Sequence, residues 1–489
     1  METKVYDVIV VGAGNAALSA ALSASEAGAG VLILEKSPKS ARGGNGRVTS
    51  GGKYAYNDMK SFRALVPDLT DEEAERLDVG RYTVDDYYGD LIRISLGRAD
   101  PELAMILAQE SYPAMKWLVS MGVKYEVHYD MGFEKDGKRY FNPRISMPTA
   151  VVGGHGALNS QLFSIIESRP DTEVRYETKA VKLLVDEKAR VCGVKVKDAN
   201  GFHDLPSKAV ILASGGFQAN PEMRVKYFGP GWDLVKVRGS RYDTGEGLEM
   251  ALELGAAMSG QISGCHANPV FLSGPDVEMG DEGFAHYYHF GILVNVRGKR
   301  FVDEAADFRR YTYARLGREV FAQPRSIAFQ IFDSKVTHLL GDPYKTARSV
   351  TARSLEDLAG ELDIDDKKSL LTTIQDFNAA VQEGEFNPGI LDGKRTKGIE
   401  PAKSNWALKI DTPPFVSYPV TCGITMSLGG LKINRNAQVL DTEGNIIPRL
   451  YATGDILGTL YDNYVGGSGI ARGVVFGRIA GRMAAADRD

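Results

Sequence analysis

Residues 5–36 read VYDVIVVGAGNAALSAALSASEAGAGVLILEK, and this stretch decides the fold. Val5 to Val11 is a nearly continuous apolar run rich in valine, the pattern of a strand buried on both faces in a parallel sheet. It ends at Gly12-Ala13-Gly14. Asn15 to Ala27 then reads as a helix of small residues, closed by Gly28 and Gly30, and Val31 to Leu34 is the next strand. A β-α-β unit is complete within 35 residues. Gly12-x-Gly14-x-x-Ala17 sits at the turn into the helix, and Glu35 ends the second strand about 20 residues on, as a dinucleotide-binding unit requires. Gly12 permits the tight turn, Gly14 lets a pyrophosphate approach the backbone, and Ala17 keeps helix and strand close. The helix start, with Ala13, Asn15 and Ala16, faces the phosphates with N–H groups that have no partner within the helix. Glu35, next to Lys36, accepts hydrogen bonds from the adenosine ribose.

Working outward, further pieces extend this site and favour FAD over NAD. Gly43-Gly44-Asn45 and Gly51-Gly52 follow the second strand and can bring backbone to a long flavin chain. Val174 to Val196 reads as two strands joined by a turn near Lys188, with the stretch to Val181 offering backbone to adenine. Ala209 to Ala213 is another buried strand, closed by Ser214-Gly215-Gly216. Near the C-terminus, Thr453-Gly454-Asp455 ends a strand and can reach the ribitol. Gly466-Gly467-Ser468-Gly469-Ile470 opens a last helix whose dipole would aim at the flavin N1/O2 side, where negative charge develops on reduction.

The expected fold class is α/β: a Rossmann-like FAD-binding domain of the glutathione-reductase type, interrupted by an α+β capping domain. The boundaries read as 1–260 and 413–489 for the FAD-binding domain and 261–412 for the insertion. A chain of 489 residues with 43% hydrophobic and 25% charged residues is long and apolar enough for two cores. A net charge of −5 with mixed signs gives no basic face for nucleic acid. No run is long and apolar enough to insert in a membrane. With no leader visible ahead of Val5, the expected location is the cytoplasm. Cys192, Cys265 and Cys422 are odd in number and far apart, which offers neither a disulfide framework nor a metal site.

The stretches VILASGGFQANPEM, TGEGLEMALELGA, GILVNVRGKRFVDE and GGSGIARGVVFGRIAG, together with residues 5–36, resemble the fumarate reductase/succinate dehydrogenase flavoprotein superfamily along essentially the whole chain. FGPGWDLVKVRGSRYDTGEG, RFVDEAADFRRYTYARLGREVFAQP and YDNYVGGSG look like its tricarballylate dehydrogenase branch. The resemblance implies oxidation of a CH–CH bond next to a carboxylate to C=C (tricarballylate to cis-aconitate), with FAD taking the hydride. It also implies electron transfer to a separate, membrane-associated iron–sulfur partner. No histidine lies between Gly43 and Gly52, where the resemblance implies one in members with a covalent flavin, so a non-covalent flavin is expected. Three positions depart from fumarate reductases: Tyr287 and Tyr464 stand where arginines clamp the dicarboxylate, and Met426 where a histidine does. Losing two bidentate clamps argues against fumarate as substrate.

By the same resemblance Arg309 moves a proton at the carbon beside the hydride acceptor, with Arg310 the alternative one residue on. His266 and Tyr464 contact the substrate. Arg310, Arg241, Tyr287, His289 and Gly467 complete the expected substrate contacts, with Arg238 beside Arg241 suited to extra carboxylates. Tyr464 also resembles the tyrosine of 3-oxosteroid dehydrogenases, so a ketone-activated bond is the competing expectation. A flavin-carrying subunit without chemistry of its own is the third.

Overall fold

In the computed structural model, which describes residues 4–49, 51–135, 137–145, 147–280 and 283–487, the opening stretch forms β1 (Tyr6–Val11), α1 (Asn15–Glu26) and β2 (Val31–Leu34). β1 is the middle of a parallel array. Val10 lies opposite Ile33 of β2 on one side and Ile211 of the strand Gly201–Leu212 on the other. From edge to edge the order is Gln438–Leu440, Ile446–Ala452, Gly201–Leu212, β1, β2, Thr172–Arg175. Only the Gln438–Leu440 edge strand runs antiparallel to its neighbour in this path. The first half of Gly201–Leu212 leaves the array and pairs antiparallel with Val191–Asp198, which pairs with Lys179–Val185.

Val174 to Val196 therefore holds parts of three strands, where two were expected. Thr172–Arg175 pairs in parallel with β2 as far as Leu34. The chain then turns round the end of β2, where the Glu177 and Thr178 N–H groups donate to the Ser37 and Glu35 carbonyls. That turn, with Glu177 at φ 51°, splits the apolar run.

The C-terminal helix (Ser468–Ala486) packs against α1 through small residues. A Cβ on Gly477 would stand 2.7 Å from the Ala16 carbonyl oxygen, and one on Gly481 2.2 Å from that of Ala20. The glycines let the backbones approach this closely, and Ser23 Oγ donates to the Arg478 carbonyl at 2.8 Å.

Two compact units result. The first comprises residues 1–233, 239–265 and 426–489, and the second 234–238 and 266–425. The sequence-based limits of 260/261 and 412/413 differ from these. The second difference has a clear cause: Phe415–Ser427 is one long strand, and its residues up to Thr421 pair with Ile327–Phe332 and Val350–Ala352 inside the second unit. Its next residues, Gly423 and Ile424, pair with the short strand Lys236–Val237, which brings 234–238 into that unit. Alternation along this mainly antiparallel sheet separates two apolar clusters. Phe329 and Ile331 join Leu358, Leu370 and Phe377 on one side, while Ala328 and Phe332 join Leu316, Val320 and Tyr344 on the other.

Cys265 and Cys422 are buried, Cys192 is partly so, and all three are free thiols. Among the described residues no helix is long and apolar enough to cross a membrane.

Candidate functional site

A cleft of about 880 Å³, part of it open to solvent, lies in the first unit at the carboxyl ends of β1 and β2. This is where an open parallel sheet binds ligands. Its floor is the Gly12–Ala16 turn. Gly12 has φ 106°, and a Cβ there would stand 2.4 Å from the Ala213 carbonyl oxygen, so β1 and its neighbour leave room for hydrogen alone. α1 starts at Asn15, with Gly14 as its N-cap, no side-chain cap and no acidic residue in its first turn. Its open N–H groups suit a diphosphate. Gly44 and Asn45, then Ala213, Ser214 and Gly215, then Gly454, Asp455 and Gly469, bring the expected later segments into the same wall.

Glu35 is 7% exposed in this wall, and its Oε1 accepts from the Ser37 N–H at 2.7 Å. Burial raises its pKa, partly opposed by that amide. Lys36 and Lys179 each reach a Glu246 oxygen at 2.8 Å. Burial opposes ionisation of Glu246, but the two lysines outweigh it and hold its carboxyl at about 2. This set of uncapped helix start, glycine floor and ribose-directed carboxylate fits a dinucleotide.

Gly43, Gly51, Gly52, Val181, Ser468 and Ile470 do not line the cleft. The Gly43 carbonyl accepts from Asn159 Nδ2 at 2.6 Å, so its place is fixed by the helix Ala157–Glu167. A Cβ on Gly52 would meet Ile470 Cγ2 at 3.1 Å, which makes it a packing glycine. The hairpin contributes Thr178, Lys179 and Ala180, one to three residues before Val181. Arg241 is exposed, whereas its neighbours Ser240 and Tyr242 face the cleft. Asp243, Glu246, Gly247 and Met250 join them, residues that the sequence pattern does not single out although TGEG is among its motifs.

Tyr464 is 7% exposed in the same unit. Its hydroxyl oxygen accepts from the Gly467 N–H at 3.1 Å and the Gly469 N–H at 2.9 Å. Burial raises its pKa, and the two amides oppose that rise. Both amides draw electron density from the oxygen and so strengthen its O–H as a donor. Tyr464→Phe is expected to leave two part-buried N–H groups without this partner. The cost is about 1–3 kcal/mol, read as a lower melting temperature in calorimetry.

In the second unit, the Phe308–Tyr311 segment brings Arg309 over the Tyr287 ring, with the guanidinium carbon 5.4 Å from its centroid. Among the described residues the Arg309 guanidinium makes no hydrogen bond or ion pair, whereas Arg310 is not unpartnered. His286 and His289 flank Tyr287, with ring centroids at 4.6 and 6.2 Å. Burial, followed by the Arg309 charge, holds both imidazoles well below their ordinary value. His266 is 2% exposed and stacks edge-on against Tyr313 at 5.0 Å. Burial, then Arg238, pushes it down to about 3. Arg238 lies over the Phe284 ring at 4.6 Å. The unit thus presents neutral imidazoles, each with one donor and one acceptor, beside fixed guanidinium charge.

Comparison with known proteins follows the same line. A family described as FAD binding domain matches residues 7–471. A fumarate reductase (cytochrome) of Shewanella frigidimarina is 29% identical over 98% of this chain and 77% of its own. A urocanate reductase of Eggerthella lenta is 28% identical over 98% and 74%. The solved open conformation of a flavocytochrome c3 fumarate reductase superposes with a TM-score of 0.71 at 26% identity, over 99% of this chain and 79% of its own.

Proposed function

The chain belongs to the FAD-binding domain family, within the fumarate reductase/succinate dehydrogenase flavoprotein superfamily, and on that premise we propose that it interconverts a CH–CH and a C=C bond next to a carboxylate, in a polycarboxylate of the tricarballylate kind. The observation that carries this reading is Arg309, a half-buried guanidinium with no anionic partner among the described residues. Such a group attracts a carboxylate substrate and can pass a proton. Two similar proteins are named for reducing fumarate and urocanate, both unsaturated carboxylates.

Bound FAD supplies the hydride acceptor or donor. The Gly12–Ala16 turn and the start of α1 would hold its diphosphate, and Glu35 its ribose. Arg309 delivers or removes the proton at the carbon neighbouring the hydride position. The neutral imidazoles of His266, His286 and His289 orient oxygen atoms by hydrogen bonding without adding charge. With Tyr287 and Tyr464 in place of arginines, the substrate is not clamped as fumarate is. A separate electron-transfer protein is the proposed partner.

The polarised Tyr464 hydroxyl favours a second reading, a 3-oxosteroid-type dehydrogenase or enone reductase in which that hydroxyl binds a ketone. One anaerobic experiment separates the two. Tricarballylate added to the oxidised holoprotein is expected to bleach the flavin band, and a 3-oxosteroid to leave it unchanged. The reverse result overturns the carboxylate reading, and no bleaching by either, with no reoxidation of dye-reduced flavin by unsaturated acids or enones, leaves an electron-carrying subunit.

A further inference from the structure

We infer that Asp243 binds the dinucleotide as a neutral acid, donating its carboxyl proton to the ligand. The inference rests on FAD binding and not on the reaction proposed above.

Asp243 is 7% exposed and lines the cleft. Its backbone is fixed: the carbonyl accepts from the Ala219 N–H at 2.9 Å. Its Oδ2 accepts from Gln218 Nε2 at 2.5 Å. Its Oδ1 stands 2.6 Å from where a Cβ of Gly215 would be, so the carboxyl reaches the cleft wall only because residue 215 has no side chain.

The charges that face it come from four elements. Glu35 and Lys36 stand at the end of β2, Asp455 follows the strand Ile446–Ala452, Glu246 starts the next helix, and Lys179 opens the hairpin. The cations are committed elsewhere: Lys36 and Lys179 to Glu246, and Arg472 to Asp455 at 2.7 Å. Among the described residues Asp243 has no ion pair, and its side-chain partner is an uncharged amide. A diphosphate must enter the same cleft. An ionised Asp243 would then be a buried charge without a countercharge, beside the carboxylates of Asp455 and Glu35 and an anionic ligand. Burial, then Asp455, accordingly raises its pKa well above the ordinary carboxyl value. With Oδ2 accepting from Gln218, the proton sits on Oδ1. A carboxyl kept neutral in this way is a hydrogen-bond donor. Its charged neighbours, Asp455 first and then Lys36 and Glu35, set it in the cleft wall that faces the dinucleotide.

The linkage has a definite sign. The ligand binds the protonated form, so affinity is constant below the pKa of Asp243 in the FAD-free protein. Above it, affinity falls about tenfold per pH unit. The test is FAD rebinding to flavin-stripped protein, followed by quenching of flavin fluorescence between about pH 6 and about pH 10. Asp243→Asn keeps the shape, accepts from Gln218 and offers an N–H that does not titrate. It is expected to match the wild type at low pH and to stay flat where the wild type weakens. Asp243→Ala is expected to bind more weakly at low pH. A difference infrared spectrum of wild type minus Asp243→Asn at neutral pH is expected to show the C=O stretch of a protonated acid. The inference is overturned if Asp243→Asn binds as weakly as Asp243→Ala at low pH, if it keeps the wild-type slope, or if the acid band is missing. Should Asp243→Asn not fold, the same band in wild-type protein labelled with 13C-aspartate, present or missing, decides the question.

Discussion

Arg309→Gln is expected to lower turnover by about 10²- to 10⁴-fold, the range general acid–base catalysis contributes, while the protein keeps its FAD. Several observations bear on the size of the effect. The guanidinium is half-buried and makes no hydrogen bond or ion pair among the described residues, so its removal strands no structural partner. It depresses the pKa of both His286 and His289, which are held neutral and are poor proton donors to replace it. Arg309→Lys keeps the charge but loses the planar fork and is expected to recover part of the rate. Arg310→Gln is the comparison, because Arg310 is not unpartnered, and a stability loss with nearly normal turnover is expected there. Stopped-flow reoxidation of dye-reduced enzyme measures the chemical step directly. If Arg310→Gln gave the larger loss of rate with its fold intact, the proton would belong to Arg310.

The second large effect separates fold from cofactor within one turn. Gly12→Ala places a methyl 2.4 Å from the Ala213 carbonyl oxygen and 2.9 Å from the Ser214 Cα, at φ 106°. Both obstacles are backbone, so β1 and the strand Gly201–Leu212 must part. Left-handed backbone costs about 1–2 kcal/mol and overpacking about 1–3 kcal/mol more. The melting temperature is expected to drop by about 10 °C, with FAD lost on gel filtration. Gly14→Ala is different. Its φ is outside the left-handed region, and the nearest atom to its Cβ is the Gly43 carbonyl oxygen at 3.7 Å. That variant is expected to fold as the flavin-free wild type does and yet to bind FAD poorly, since the methyl stands where the pyrophosphate approaches. Equal melting losses in both variants would refute this division.

The first 36 residues were legible because strand and helix periods, the glycine turn and Glu35 are local signals. Gly454 and Gly469, singled out by motif order, line the same cleft. Positions set by long-range packing were not. Gly52 is a glycine for the sake of Ile470, more than 400 residues away, and Gly43 for Asn159, and each reads in sequence like a ligand glycine. Arg241 drew attention through its charge, while the backbone turns Ser240 and Tyr242 to the cleft instead. Asp243 was invisible because a buried acid and an exposed one share the same letter. The shift of the second boundary from 412/413 to 425/426 follows from strand pairing, which no local pattern in Phe415–Ser427 announces.

The pairing of α1 with the C-terminal helix bears on the order of events during synthesis. Asn15 Nδ2 bonds the Ile470 carbonyl and Ser23 Oγ that of Arg478, in each case across 455 residues. α1 is made more than 400 residues ahead of the helix it packs against. Contacts of such sequence separation form slowly. Both segments of the second unit, 234–238 and 266–425, lie between these two helices in the chain, and its sheet is complete once Thr425 has emerged. The second unit is thus expected to assemble before the first is closed by its last helix. FAD capture becomes a late, near post-translational event, and a chain stalled before Ile446 would be folded in its middle and empty at its start.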